Sequence, residues 1–187
     1  MDKAIHWRTP LFIWLRALIY MVIVATGWLV VLPELLLFFE RRSFKVQFRS
    51  RPFVLLGAVS FLAGSFLGIA AGGYLIQKGH GTPLPLDPPQ ELVTTGPYRW
   101  VRNPQAIAMT LAVLGEIMAL KSRRVWLLLP LTLIYLEVLV KPWEERQLLA
   151  AHGGRYLAYK KAVPKWFPKP AKNAEWQTLL VWGARSK

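Results

Sequence analysis

The sequence predicts an all-α integral membrane bundle of about four transmembrane helices, with its distinctive polar motifs gathered at one membrane face. Two observations carry this. Hydrophobic residues make up 54% of the 187-residue chain and fall in long runs, a load that a soluble domain of this size would expose as apolar patches. The formal net charge is nevertheless +14, from 24 Lys+Arg against 10 Asp+Glu, and the basic residues flank the apolar runs as they do beside anionic headgroups. Nucleic acid is the other usual partner of a basic chain, but no separate basic domain stands apart from the apolar runs, so no nucleic-acid partner is expected. Nine Trp and six Tyr, many near the run ends, fit interfacial belts. The absence of cysteine removes disulfides, thiolate nucleophiles and Cys-ligated metal. Three His without metal-ligand spacing predict no metal site.

The length suits one membrane domain over residues 1–187: two spans and a linker in 1–76, a loop, hairpin and C-terminal segment in 77–168, and a basic tail in 169–187. The first span is expected over residues 11–32, with Pro33 and Glu34 marking its end; it is long enough for a hydrocarbon core of about 30 Å. It outruns a signal-peptide core and lacks a small-residue cleavage pattern, so it reads as a retained helix. Residues 34–51, with Arg41, Arg42, Lys45, Arg49 and Arg51, read as an interfacial helix or linker. The second span covers residues 53–76, where Gly64, Gly68 and Gly72 share a face and allow close helix approach. The Gly- and Pro-rich stretch 77–103 specifies an ordered loop, and loops of this length are more often functional than idle. A hairpin follows: residues 104–120, a turn at 121–124, and residues 125–140. Its matched arms return the chain to the face it left, where everything after Lys141 is expected to lie.

The hairpin brings two motifs together. Before it stands Gly96-Pro97-Tyr98-Arg99-Trp100-Val101-Arg102-Asn103-Pro104, and after it Glu144-Glu145-Arg146-Gln147-Leu148, then Gly153, Tyr156 and Tyr159. Pro104 suits the first turn of a helix, where its missing N–H costs nothing. Tyr156 and Tyr159, three apart, share a helix face; adjacent Glu144 and Glu145 do not, and so are expected to do different jobs. Taken singly, each has a plainer reading: Arg102 as a snorkelling interfacial cation, the Glu pair as solvated surface, the Tyr pair as interfacial anchors. Glu116 and Glu137 lie inside the hairpin arms, where acids are candidates by default. Local pairing with Lys121 and Lys141 accounts for both, and they stay outside the candidate site.

Together these motifs resemble the isoprenylcysteine carboxyl methyltransferases and their relatives, the phospholipid N-methyltransferases. That pattern is a Gly-Pro-Tyr-Arg lead, Arg-His-Pro-x-Tyr-x-Gly at a helix start, a transmembrane hairpin, Glu-Glu-x-x-Leu, and Gly-x-x-Tyr-x-x-Tyr. The stretches Gly79-His80-Gly81-Thr82-Pro83-Leu84-Pro85 and Val163-Pro164-Lys165-Trp166-Phe167-Pro168 look similar to those of bacterial members. The resemblance implies S-adenosylmethionine as cofactor, in a cytosolic-face pocket covered by the C-terminal segment, a lipid or lipophilic acceptor entering from the bilayer, and a bacterial inner-membrane location. It assigns catalysis to Arg102 and Glu145, and cofactor binding to Gly96, Pro97, Tyr98, Arg102, Asn103, Pro104, Glu144, Tyr156 and Tyr159. Arg102 suits a carboxylate, Glu144 or Glu145 an ammonium, and Tyr98 a sulfonium or adenine face. A carboxylate acceptor needs no base; for an amine or phenol, Glu145 is the obvious one.

Three departures stand out. Asn103 replaces the pattern's His and cannot titrate; Ala106 and Ala108 replace its Tyr and Gly, and loss of the Tyr either enlarges an acceptor tunnel or weakens the site; His152 stands where Phe is usual. A non-catalytic membrane binding or scaffold protein on the same fold is the alternative. A transporter would want polar groups at the midplane of several spans or an inverted repeat, and the sequence has neither. A cytosolic motif face places residues 34–51 and 121–124 outside, against the positive-inside rule, while the ten Lys and Arg from Lys141 onward favour it.

Overall fold

The computed structural model of the chain describes residues 10–39, 47–82 and 89–168. Arg41, Arg42 and Lys45 of the expected linker, Pro83, Pro85 and Pro88 of the loop, and the basic tail lie outside the described residues. The regular elements among them are all helical: α1 (Pro10–Thr26), a π-helical segment (Gly27–Val31), α2 (Leu32–Phe39), α3 (Arg51–Gly79), a 3₁₀ turn (Gly96–Arg99), α4 (Pro104–Ala119), a 3₁₀ turn (Arg124–Leu127), α5 (Leu128–Ile134), a second π-helical segment (Tyr135–Val140) and α6 (Lys141–Ala162). Three helical rods, Leu11–Phe39, Arg51–Gly79 and Arg124–Ala162, are long and apolar enough to cross a bilayer, and Pro104–Ala119 is a shorter apolar fourth. The expected all-α membrane bundle is therefore present.

Two boundaries differ from expectation. Pro33 does not end the first rod, which runs on to Phe39. A proline normally removes one N–H and crowds the preceding turn, but here that turn is widened to π geometry. The Leu32 N–H donates to the Gly27 carbonyl, five residues back, the kind of local adjustment that lets proline sit inside membrane helices. Likewise, the last rod does not stop at Val140. A second π segment leads into α6, and Pro142 follows it as Pro33 follows the first, the same adjustment of backbone around an interior proline. The 39-residue helical stretch has about twice the roughly 20 residues that the hydrocarbon needs, so the charged half beyond Lys141 is more than the bilayer core can hold.

Helices α3 and α4 cross antiparallel through small residues. A Cβ on Gly57 would stand 2.4 Å from the Gly115 carbonyl oxygen, and one on Gly64 would stand 2.6 Å from that of Ala108. Farther along, a Cβ on Gly68 would meet the Ala108 methyl at an ordinary 3.4 Å. The contact is thus tightest at one end and relaxes toward the other. Gly64 and Gly68 take the packing role expected of them; Gly57 and Gly115, which mark the closest approach, complete the seam. The Ser60 hydroxyl donates to the Leu111 carbonyl at 2.8 Å, and the Gln105 amide to that of Gly68 at 3.1 Å. Such bonds satisfy polar groups where no water competes.

The tight end is closed by backbone pairing. Arg49 N–H donates to the Ala119 carbonyl at 2.9 Å, and Lys121 N–H to that of Gln47 at 2.8 Å. The Arg49 guanidinium donates to the Leu120 carbonyl at 3.0 Å and lies about 6 Å from the rings of Phe53 and Trp126. Residues 47–50 and the hairpin turn therefore share one end of the bundle. Above them Val113, Ile117, Val125 and Leu128 are fully buried, with Trp28, Leu29 and Leu32 packed against them. Ile13 and Ala17 of α1 pack on Ile76 at the opposite end, the one that carries the polar motifs.

Enlarging Gly115 forces α3 and α4 apart. Gly115→Val is expected to lower stability by about 1–3 kcal/mol, the ordinary cost of overpacking. Gly27→Ala, with nothing within 4 Å of its Cβ, is expected to leave thermal unfolding in detergent nearly unchanged.

Candidate functional site

The polar end is built from the start of α4 and the length of α6. Gly96 has φ +59°, and a Cβ there would collide with the Tyr74 ring at 2.4 Å. Only glycine fits both demands. The 3₁₀ turn it opens, with Pro97 in its first residues, buries Tyr98 against Ala71, Leu75 and Val93. Asn103 then occupies the N-cap of α4 with Pro104 at its first turn, as the sequence predicts for the proline.

Within α6, Gly153 departs from helical geometry at φ 49°, ψ −122°. The kink turns the last part of the helix back toward the first, so that Lys160 Nζ reaches Glu145 Oε2 at 2.6 Å. Tyr156 and Tyr159 are both buried, with ring centres 6.5 Å apart. The Tyr159 hydroxyl donates to the Tyr98 carbonyl at 2.7 Å, tying α6 to the 3₁₀ turn.

Arg102 is the junction. Its Nη1 donates to Glu145 Oε1 at 3.0 Å and its Nε to the Val163 carbonyl at 3.0 Å, while its backbone N–H donates to the Pro164 carbonyl at 2.8 Å. Glu144 faces a different cation, Lys141, at 2.5 Å. The two acids thus have different partners, and both line one cleft. Glu137 does not pair with Lys141. It accepts from Lys165 and, at 2.7 Å, from the Trp166 indole, because residues 163–168 fold back along the rod. Glu116 leaves its Oε2 buried without a hydrogen-bond partner among the described residues.

The cleft, about 40 Å³, is lined by Tyr98, Arg102, Asn103, Glu144, Glu145, Tyr156 and Tyr159, together with residues 89 and 91–93. Pro104 is buried beneath its rim, and Gly96 and Pro97 shape the turn without facing it. The Asn103 Nδ2 and the Tyr98 hydroxyl are buried and have no partner among the described residues. Burial would push the Glu145 carboxyl up, but the hydrogen bonds and charges of Lys160 and Arg102 outweigh it and hold the group below its ordinary 4.5. Burial, reinforced by Glu144 and Tyr159, raises the Tyr98 phenol.

Beside the cleft lies an apolar cavity of about 360 Å³ between all four apolar rods. Ala106 and Ala108, the two departures at the start of α4, both line it, and so does Gln105. Trp28 and Tyr135 of the two π segments line it too, and their signal in the sequence is position: aromatics deep within apolar runs rather than at the ends. Glu144 lines both the cavity and the cleft.

A bundle of apolar helices with a polar cleft at one end, beside an apolar cavity, defines a polytopic membrane protein with a candidate site where the apolar rods give way to charged helix. The family model for phospholipid methyltransferases matches residues 53–155, more than half of the chain, and the chain belongs to that family. The match includes the Gly96–Pro104 motif, Glu144 and Glu145, and ends just before Tyr156. Membership suggests a membrane methyltransferase. No curated protein and no solved structure matches the chain.

Two consequences are measurable. Tyr159→Phe removes the bond to the Tyr98 carbonyl and is expected to cost about 0.5–1.5 kcal/mol in thermal unfolding. Because the Glu145 pKa is lowered in the folded protein, its stabilising pairing is fully present above 4.5 and is lost as pH falls through the lowered value. The gap in unfolding midpoint between the wild type and Glu145→Gln is therefore expected near neutrality and to close on acidification.

Proposed function

We propose that the chain is an S-adenosylmethionine-dependent methyltransferase acting on a lipophilic acceptor, by carboxyl O- or amine N-methylation, with its site facing the cytosol. The observation that carries this reading is the double exposure of Glu144. A polar cleft and an apolar cavity meet at one side chain, as a site joining a water-soluble reagent to a lipophilic one requires. Lys78, Arg99, Lys160 and Lys161 lie at the same end and Arg49, Arg51, Lys121, Arg123 and Arg124 at the other, so the cytosolic orientation rests on where the cofactor is found rather than on charge.

The residues suit the cofactor chemically. Arg102 offers a guanidinium to a carboxylate, Glu144 and Glu145 offer carboxylates to an ammonium, and the unpartnered Asn103 amide and Tyr98 hydroxyl offer hydrogen bonds. Tyr98, Tyr156 and Tyr159 provide aromatic faces for a cation or a ring. Bound there, the cofactor would supply an electrophilic methyl group. The chain's part is to hold donor and acceptor in line and to keep water out.

Room is the demanding point. Ligand-sized sites enclose about 300–1,000 Å³, far above the 40 Å³ of the cleft. Binding therefore requires the cleft wall to give way, and its non-helical part, residues 89 and 91–93, would have to part from Gly79, whose carbonyl accepts from the N–H groups of Gln90 and Glu91. Arg102 must also exchange some of its pairing with Glu145 for the incoming carboxylate. Glu145, held ionised by two cations, is a weak proton acceptor. This favours a carboxylate acceptor, which needs no base, over an amine or phenol.

The narrow cleft also favours a second reading, a non-catalytic membrane binding protein on the same fold. Titration calorimetry of the purified protein with S-adenosylhomocysteine separates the two. Saturable binding, weakened at least about tenfold in Arg102→Ala and Glu145→Gln, a loss of about 1.4 kcal/mol, is the outcome expected of the enzyme. No heat at millimolar ligand would leave the binding protein.

A further inference from the structure

The apolar cavity has a polar mouth and a fixed floor. Gln105, Lys141 and Glu144 stand at the mouth. From there Tyr20, Val24 and Trp28 descend the first rod at four-residue steps, all on the cavity wall. Beneath Trp28 the bundle is solid, because the indole packs directly on the fully buried cluster around Val113 and Leu128. Trp28 is held in two ways. Its indole N–H donates to the Thr132 hydroxyl at 2.7 Å, and that hydroxyl donates to the Leu128 carbonyl at 2.6 Å. Its ring also rests on that of Tyr135, with centres 4.6 Å apart and planes 33° apart. Trp28 and Tyr135 each lie in a π-helical segment, a geometry that recurs at functional sites. An indole fixed by a hydrogen bond to a buried hydroxyl and by a ring contact does not readily swing aside.

The depth follows from the helix rise. Eight residues from Tyr20 to Trp28 span about 12 Å, which at ordinary carbon–carbon geometry accommodates roughly ten extended methylenes. The volume of about 360 Å³ lies near the lower end of the about 300–1,000 Å³ that encloses a small ligand. Resting on the methyltransferase reading, we infer that Trp28 is a specificity-determining residue that limits the acceptor's apolar tail to a single chain or ring system of about ten carbons. A medium-length lipophile fits, whereas a long diacyl lipid does not.

The test is direct binding of tails. Purified protein in a detergent with a bulky headgroup is incubated with an equimolar series of 1-alkanols from hexanol to octadecanol, and retained alcohols are read by native mass spectrometry. Wild type is expected to retain chains up to about decanol and to retain octadecanol at least tenfold less. Val24→Phe raises the floor by one helical turn of about 5.4 Å and should shorten the limit by about four carbons. Trp28→Ala should lengthen it by a similar amount, and should Trp28→Ala fail to fold, Val24→Phe still decides. Equal retention of octadecanol and decanol, a limit unmoved by Val24→Phe, or no retention of any alcohol would overturn the inference. Binding of S-adenosylhomocysteine, measured on the same samples, keeps the two claims apart. Cofactor-analogue binding without a length limit removes only the limit; a length limit without cofactor-analogue binding removes only the enzymatic reading.

Discussion

A guanidinium at the foot of one membrane helix and a carboxylate beyond the end of the next hold this site together. Charges beside a hydrocarbon layer are costly unless they are paired and hydrogen-bonded, and Arg102 is both. It meets Glu145, which Lys160 also neutralises, and it binds the carbonyls of residues 163 and 164. Residues 102 and 145 are far apart in sequence, so their pairing requires α4 and the last rod to return the chain to one end. The kink at Gly153 is needed as well, since without it Lys160 would point away. Cleft, kink and C-terminal segment therefore depend on one another through a single arginine.

The space beside that cleft comes from a different constraint. Helices α3 and α4 are pressed together where Gly57 meets Gly115 and stand farther apart near Gly68 and Ala108. In lipid, such contact is driven by close packing rather than by the hydrophobic effect, so small residues decide where helices touch and where they part. Toward the polar end the seam loosens, and Ala106 and Ala108 fill little of the gap. The result is a cavity bounded by α1 and the π segments, with its mouth at Glu144. Backbone pairing between residues 47–49 and 119–121 fixes the tight end.

Much of this was legible in the sequence, for identifiable reasons. Apolar runs long enough for a bilayer announce the spans, because lipid admits little else than helices there. The hairpin follows from arm length, and with it the meeting of Arg102 with Glu144 and Glu145. Pro104 at a helix start and the shared face of Tyr156 and Tyr159 follow from helix geometry. What was not legible depends on tertiary adjustment. Pro33 reads as a stop, but a π turn before it lets the rod continue to Phe39. The second hairpin arm reads as ending at Val140, but the helix continues past it to Ala162. Glu137 has a lysine four residues on, the usual helical partner, yet residues 165 and 166 fold back and take it. Trp28 reads as one more apolar residue until Thr132, 104 positions later, accepts its hydrogen bond.

On the proposed function, the cleft between Arg102, Glu144 and Tyr98 is a cofactor pocket that widens on binding. A structure determined with S-adenosylhomocysteine bound tests it most directly. The account predicts the ligand's carboxylate on Arg102, its ring among Tyr98, Tyr156 and Tyr159, and residues 89–93 displaced outward. A ligand seated elsewhere, or an intact Arg102–Glu145 pair over an unchanged cleft at saturating ligand, would contradict it.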